Sequence, residues 1–178
     1  MWYAIGTEVG QEEAVKQQIE TMMPKNAGGN CFILRCVKKK RYLGQWHDKR
    51  ELFLPGYVFW VTETSEKNCF LKELNQCVEI CSIKQEEEKF LRKLTAESDE
   101  IGMSYGVIRN NALNIYDGVL MGMESRVKKI DRHKRKGFIV VRIHSEEKMA
   151  EIGLEITEKI YTPQDICCYK EIDNSFGM

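Results

Sequence analysis

The sequence has few of the residues from which catalytic and metal sites are usually built. Its three histidines, His47, His133 and His144, belong to no metal-binding motif, and no nucleophile elbow, phosphate loop or dinucleotide fingerprint occurs. The seven cysteines form no CxxC pair, and their odd number does not fit a disulfide framework. We therefore expect no enzymatic activity, no metal and no cofactor, and we expect reduced thiols in a cytosolic protein.

Long hydrophobic runs and net charge are also lacking. No uninterrupted apolar run is longer than ten residues, which is too short to cross a bilayer, and the opening MWYAIGTEVG has no basic segment typical of a signal peptide. The sequence contains 27 basic residues (Lys and Arg) and 27 acidic residues (Asp and Glu), so its net charge is zero. Any nucleic-acid site must therefore be local. These features predict a cytoplasmic protein without a membrane partner.

The first 97 residues contain alternating strand and helix patterns. Val15, Ile19, Met22 and Met23 form one apolar stripe of a helix that ends before Pro24. The predicted elements begin with a strand over 2–8, a helix from about 11 and three strands between 31 and 62. A second helix, begun by Thr64 or Ser65, is expected to bury Phe70, Leu71 and Leu74. A strand over 78–84 follows, and then a third helix with Phe90, Leu91 and Leu94 buried. This order predicts an α+β domain over 1–97, with helices packed on an antiparallel sheet.

The second half of the chain has the pattern of a small β domain. The polar, glycine-containing segment 98–106 is interpreted as a linker. After it, VIRNNALNIYDGV, SRVKKID, KGFIVVRIH and GLEIT have the short strands and spacings of a small barrel, which we place at 107–162. The segment EKMAEIG is ambiguous and could be helical. Residues 163–178 are assigned as a C-terminal tail.

One strand, LFLPGYVFWV at 52–61, has Pro55 and Gly56 inside an otherwise continuous strand pattern. Proline belongs at the start, edge or bulge of a strand, and glycine permits a turn or a close approach. The strand is apolar on both faces and so needs cover on both sides. Its corner is either a well-packed start to a core strand or an apolar surface for a partner.

The strongest local charge lies at residues 126–136, which contain seven Lys and Arg residues and a single acidic residue, Asp131. The flanking strand patterns place DRHKRK at a hairpin tip, where the cations project together as phosphate binding requires. The alternative interpretation is a solvated turn whose lysines protect a sheet edge. The candidate nucleic-acid-binding residues are Arg126, Lys128, Lys129, Arg132, His133, Lys134, Arg135 and Lys136.

Three stretches together resemble the NusG family of transcription elongation factors. WYAIGTEVGQEEAVKQQIE resembles the opening of that family, FLPGYVFWV resembles its PGY strand, and IYDGVLMGMESRVKKIDRHKRKGFIVV resembles its C-terminal KOW module. The resemblance covers roughly residues 2–160. It implies an α+β N-terminal domain that binds the β′ clamp helices of RNA polymerase, followed on a tether by a small all-β, SH3-like KOW barrel.

The resemblance also implies site residues and partners. The polymerase-binding pocket would comprise Tyr3, Leu54, Pro55 and Tyr57. The segment KKIDRHKR resembles the antiterminator paralogues called LoaP, whose KOW domain recognises an RNA hairpin. The implied partners are RNA polymerase, a hairpin in the nascent transcript and, as a further candidate, non-template DNA, with the protein acting as a monomer.

Two departures from the family pattern leave alternatives open. Val119 stands where a Gly-Pro pair is usual, and Ser125 stands at the hallmark glycine of the KOW module. One alternative is a general adaptor that couples polymerase to Rho or to ribosomal protein S10. Another is a C-terminal domain that switches fold, as in the RfaH branch.

Overall fold

Twelve strands and two α-helices form the regular structure of the residues described. A computed structural model describes residues 1–22, 29–62, 79–96, 98–144 and 146–160. The elements are β1 Trp2–Gly6, α1 Glu12–Met22, β2 Gly29–Phe32, β3 Arg35–Tyr42, β4 Gln45–Leu52, β5 Tyr57–Thr62, β6 Ile80–Ser82, α2 Gln85–Thr95, β7 Glu100–Ile101, β8 Ser104–Arg109, β9 Ala112–Gly118, a 3-10 turn Glu124–Arg126, β10 Val127–Asp131, β11 Lys136–Ile143 and β12 Glu146–Ile160.

The N-terminal half is built on a four-stranded antiparallel sheet with the order β2-β5-β1-β6. Successive side chains of a strand point to opposite faces. Tyr3 and Ile5 therefore pack with Ile19 of α1, while Trp2 and Ala4 belong to the cluster that contains the buried side chains of α2. Both faces of the sheet are covered, which confirms the α+β prediction for this half.

A second, three-stranded sheet has the order β4-β3-β7. Strands β3 and β4 form a hairpin, and β7 pairs in parallel with Arg35 and Cys36 of β3. Residue Ile101 of β7 is fully buried. The segment 98–106, interpreted as a linker, thus contains β7 and the first residues of β8.

The C-terminal half is one five-stranded sheet with the order β10-β11-β12-β8-β9. Asn110 and Asn111 both have positive φ, as the two-residue turn between β8 and β9 requires. Among the described strands no pairing joins β9 to β10, so the closed barrel predicted for 107–162 is not found. The ambiguous segment EKMAEIG is strand, because β12 pairs with β11 on one side and with β8 on the other, and Ala150, Ile152 and Leu154 are buried.

The two halves share one hydrophobic core. Leu34, Phe53 and Leu54 of the N-terminal half belong to the same buried cluster as Ile139 and Ile152 of the C-terminal sheet. Lys38 is buried between two carboxylates, at 3.4 Å from Glu51 and 3.3 Å from Glu151. Glu87 of α2 is also buried, and it accepts hydrogen bonds from the Arg126 side chain and the Arg142 backbone N–H.

Two of the sequence predictions concern residues outside these ranges. They are the helix containing Phe70, Leu71 and Leu74, and the tail 163–178. Within the described ranges, no helix is long and apolar enough to cross a membrane.

Candidate functional site

The Pro55-Gly56 corner joins the N-terminal sheet to the loop after β1. Gly56 has a φ of 83°, and a Cβ at this position would lie 3.2 Å from the carbonyl oxygen of Thr7. The Thr7 backbone N–H donates a 2.9 Å hydrogen bond to the Gly56 carbonyl. A side chain at residue 56 would therefore be strained by both its backbone conformation and its neighbours. The glycine lets the chain enter β5 at this point.

A buried carboxylate, Glu12 at the start of α1, fixes this corner. Its Oε1 accepts a 2.8 Å hydrogen bond from the Gly56 backbone N–H, and its Oε2 accepts one of 2.8 Å from the Gly10 N–H. Burial acts to raise the pKa of Glu12, but hydrogen bonds from the backbone N–H groups of Gly56, Glu12 and Gly10 outweigh it and hold this pKa below its ordinary value. The sequence pattern does not indicate this role of Glu12, because its partner Gly56 is 44 residues away.

The four predicted polymerase-binding residues do not all meet at the corner. Leu54 is buried, Pro55 is exposed and Tyr57 is half-buried, and these three are consecutive with Gly56. Tyr3 lies on the opposite face of the sheet, where it packs beside α1 and stacks on Trp60 with ring centroids 5.4 Å apart. The structure thus brings Leu54, Pro55 and Tyr57 together and places Tyr3 elsewhere.

The C-terminal sheet contributes to the same corner. A cavity of about 480 Å³ is lined on one side by Pro55, Gly56 and Tyr57 and on the other by Ile143, His144 and Glu146 of the C-terminal half. Glu146 forms an ion pair with Lys148, and this carboxylate and the nearby Tyr57 hydroxyl raise the pKa of Lys148. The corner is therefore an element of the junction between the two halves as well as of the N-terminal core.

The basic segment forms a hairpin tip, as predicted. Residues 132–135 make the turn between β10 and β11, with Asp131 paired to Lys136 across it. The Asp131 carboxylate accepts a 3.0 Å hydrogen bond from the Lys134 backbone N–H, and Arg135 has a φ of 52°. The short aspartate side chain thus closes the turn, and the next three residues, Arg132, His133 and Lys134, are exposed.

Five of the eight predicted RNA-binding residues are exposed. A cleft of about 430 Å³ beside the turn is lined by Lys129, Arg132 and His133, with Ile130, Asp131 and Ile156. Lys129 also lies over the Phe138 ring, with Nζ 5.5 Å from its centroid. The exposed set, which we call the basic turn, is Lys128, Lys129, Arg132, His133 and Lys134.

The other three predicted residues are engaged in contacts within the protein. Arg126 pairs with Glu87 at 3.4 Å and lies over the Phe90 ring. Arg135 pairs with Glu155 at 2.9 Å, and its guanidinium lies 4.3 Å from the ring centroid of Trp46 in β4. Lys136 pairs with Glu151 at 2.7 Å, and Glu151 in turn contacts Lys38. These cations join the halves of the protein, a role that charge counting alone could not reveal.

Three of the cysteines lie in described residues, and all three are free thiols. Cys31 and Cys36 are buried, and burial raises the pKa of Cys31 to about 12 and that of Cys36 to about 11. Such thiols are protonated at neutral pH and are poor nucleophiles and metal ligands. Among the described residues no group of three or more His, Cys, Asp or Glu side chains could hold a metal.

We expect Cys31 and Cys36 to react with a thiol reagent at pH 8 only when the protein unfolds, because both are buried and protonated. Denatured protein prepared without reductant should show all seven thiols. Labelling in native and denatured conditions, with peptide mapping by mass spectrometry, measures both. Rapid native labelling of either residue, or one zinc ion per chain by metal analysis, would contradict the expectation.

Comparison with known proteins identifies a family for the N-terminal half of the chain. A family model described as transcription termination factor NusG matches residues 1–98, the segment that contains the N-terminal sheet, both described helices and the Pro55-Gly56 corner. No curated protein matches the chain. Proteins of that family are non-enzymatic transcription factors that generally bind RNA polymerase. Because the match spans more than half of its 178 residues, the chain belongs to the NusG family of transcription factors.

Proposed function

We propose that the protein is a cytoplasmic elongation and antitermination factor of the LoaP type. It binds the β′ clamp helices of RNA polymerase through its N-terminal half and a hairpin of the nascent transcript through its C-terminal half, which we assign as a KOW module. The observation that carries the proposal is the basic turn, whose five side chains are exposed on a chain of zero net charge. Family membership supports the polymerase contact.

The polymerase contact centres on Leu54, Pro55 and Tyr57. Pro55 is exposed and Tyr57 is half-buried, so both offer apolar surface to a helix pair. Leu54 is buried in the core that includes the C-terminal sheet, and Ile143 lines the cavity opposite Pro55. Polymerase can therefore contact all three residues only when the C-terminal half separates from this corner. The hydrogen bond from the Gly56 backbone N–H to Glu12 holds the backbone conformation of the corner.

The RNA contact follows from charge and shape. RNA stems are recognised mostly through their backbone and 2′-hydroxyl groups, so several cations on one turn are sufficient for affinity. The cations of the basic turn have this arrangement, and Lys129 and Arg132 border a cleft that can receive a phosphate. Arg126, Arg135 and Lys136 support the hairpin through internal contacts.

The test is RNA binding by a variant in which Lys128, Arg132 and Lys134 are replaced by alanine. Each lost phosphate contact lowers the slope of log affinity against log salt by about 0.7, so we expect the slope to flatten by about two and the affinity to fall roughly 50-fold near 0.15 M salt. The probe is an RNA stem–loop, measured by fluorescence anisotropy with the full chain. Folding should be preserved, since exposed charges contribute little to stability.

A matched control removes three exposed cations elsewhere: Lys84, Lys89 and Arg109. It changes the net charge equally and should leave the slope and affinity close to those of the unmodified protein. If the two variants behave alike, the basic turn has no specific role, and the adaptor function with a protein partner such as Rho or ribosomal protein S10 becomes the better explanation. Loss of readthrough on a template encoding the hairpin, with polymerase binding retained, would support antitermination.

A further inference from the structure

The tip of the β3–β4 hairpin carries an aromatic and basic surface that the proposed RNA contact does not use. Residues 35–52 contain seven Lys and Arg residues against two acids, although the chain as a whole is neutral. At the tip, the rings of Tyr42 and His47 are stacked, with centroids 3.9 Å apart and planes 14° from parallel. Tyr42 is 54% exposed, so the outer face of this pair is open to solvent.

The backbone conformation of the turn at the tip does not favour the folded state. Leu43 and Gly44 have φ of 51° and 78°, the pattern of a two-residue hairpin turn in which Asn-Gly is favoured. A leucine in this conformation is strained, and Leu43 is 96% exposed, so it gains almost nothing from burial. Strain of this kind at an exposed position points to a contact outside the protein.

The tip adjoins the basic turn. Arg135, the last residue of the turn between β10 and β11, lies over the ring of Trp46, 4.3 Å from its centroid. Trp46 pairs with Arg41 across the hairpin, and the next pair toward the tip is Gln45 with Tyr42. The two basic segments of the protein, far apart in sequence, therefore meet at this hairpin.

The geometry also indicates what form of nucleic acid fits. Side chains alternate along a strand, so Tyr42 and His47 lie on the face of the hairpin opposite Trp46 and Arg135. A ligand that contacts both the basic turn and the Tyr42 ring must pass around a two-residue tip. A stiff duplex does not bend so sharply, whereas an unpaired segment of RNA does, and its bases are available for stacking on aromatic rings.

We propose that the tip of the β3–β4 hairpin is a second part of the RNA site, where the ring of Tyr42, backed by His47, stacks on an unpaired base of the loop or flank of the RNA hairpin. Arg41 is exposed and pairs with Trp46 on the other face of the hairpin, where it is available to a phosphate between the basic turn and this ring. This inference rests on the proposed RNA-binding function. It adds a contact by the N-terminal half, and it makes recognition depend on unpaired nucleotides as well as on a stem.

The experiment compares an RNA stem–loop, with a stem of about twelve base pairs and a loop of about eight nucleotides, with the blunt duplex of the same stem. Base stacking on an aromatic ring is lost in Tyr42→Ala, so its affinity for the stem–loop should fall about 5- to 150-fold. Its affinity for the blunt duplex should not change. Tyr42→Phe keeps the ring and should bind as the unmodified protein does.

The matched control is Tyr116→Ala, since Tyr116 is 55% exposed on the C-terminal sheet and should not affect either RNA. A photoreactive 5-iodouridine in the loop should crosslink to Tyr42, as mapped by mass spectrometry. Equal affinity of Tyr42→Ala and the unmodified protein for the stem–loop would overturn the inference, as would an equal loss on the blunt duplex. A DNA stem–loop with the same Tyr42 dependence and equal affinity would overturn its assignment to RNA.

The outcomes separate this inference from the proposed function. If the variant of Lys128, Arg132 and Lys134 loses RNA affinity while Tyr42→Ala does not, the basic turn binds RNA and the hairpin tip does not. If the full chain binds none of these RNAs, both proposals fail, and a protein partner for the two basic segments is the remaining explanation.

Discussion

Replacing Leu54 with alanine is expected to lower the free energy of unfolding by about 2–5 kcal/mol, because the substitution leaves a cavity in a packed core. Leu54 is 4% exposed and belongs to the cluster that joins both halves of the protein. Urea denaturation followed by circular dichroism measures the change. The matched control is Leu43→Ala, in which the same atoms are removed from an exposed side chain and stability should change by less than about 0.5 kcal/mol. Similar values for the two variants would contradict the buried position of Leu54.

The burial of Leu54 also determines how the polymerase contact should be tested. An aspartate at residue 54 would place a carboxylate in the core and unfold the protein, so lost binding would not identify a contact. Tyr57 is half-buried and tolerates a polar exchange better. We expect Tyr57→Asp to remain folded by circular dichroism and to lose binding to purified RNA polymerase. A folded Tyr57→Asp protein that binds polymerase normally would remove this corner from the interface.

Replacing Glu12 with alanine is expected to cost about 2–4 kcal/mol, since it leaves two backbone N–H groups at the corner without their acceptor. Those groups belong to Gly10 and Gly56, each 2.8 Å from a carboxylate oxygen of Glu12. The neighbouring Glu13 is the control, because it is exposed and its ion pair with Arg35 should contribute less than about 1 kcal/mol. Thermal and urea unfolding of both alanine variants compare them directly. Equal losses in the free energy of unfolding would show that the buried hydrogen bonds of Glu12 stabilise the protein no more than the exposed ion pair of Glu13 does.

The same carboxylate predicts a pH dependence of stability. The pKa of Glu12 is lowered in the folded protein from its ordinary value of 4.5, so ionisation favours the folded state. Its contribution is complete above that value and is lost as the pH falls below 4.5 and through the folded pKa. The stability difference between the unmodified protein and Glu12→Gln should therefore be largest near neutral pH and should shrink in acid. A difference that stays constant from pH 7 to pH 3 would contradict this assignment.

Much of the N-terminal fold could be predicted because its signals are local. The helix that ends before Pro24 and the strand of Phe59 and Trp60 follow from residue periodicity and from proline chemistry, and the structure contains both. The segment EKMAEIG was ambiguous because its helix propensity is local, whereas its strand pairing to β11 and β8 depends on distant residues. Strand spacing likewise does not specify whether the first and last strands pair, and no closed barrel is found among the described strands.

The candidate sites show the same division between local and distant signals. The charge run correctly indicated an exposed turn at Arg132 and Lys134. It also included Arg126 and Arg135, whose partners Glu87 and Trp46 lie in the other half of the chain and could not be identified from spacing. Tyr3 was assigned by resemblance to one polymerase-binding pocket with Leu54, Pro55 and Tyr57, whereas alternation along β1 places it on the other face of the sheet from Tyr57.

Strand β12 has a consequence for the order in which the protein is made. It is the last described element, and through Ile152 and Leu154 it supplies part of the core that covers Leu54. When β7 has been synthesised, roughly sixty residues remain to be added before β12 is complete, which takes roughly 3–12 s at ordinary elongation rates. Throughout that interval the apolar surface around Leu54 lacks its final cover. A nascent chain can therefore meet polymerase, or a chaperone, before its own C-terminal strand reaches the same surface.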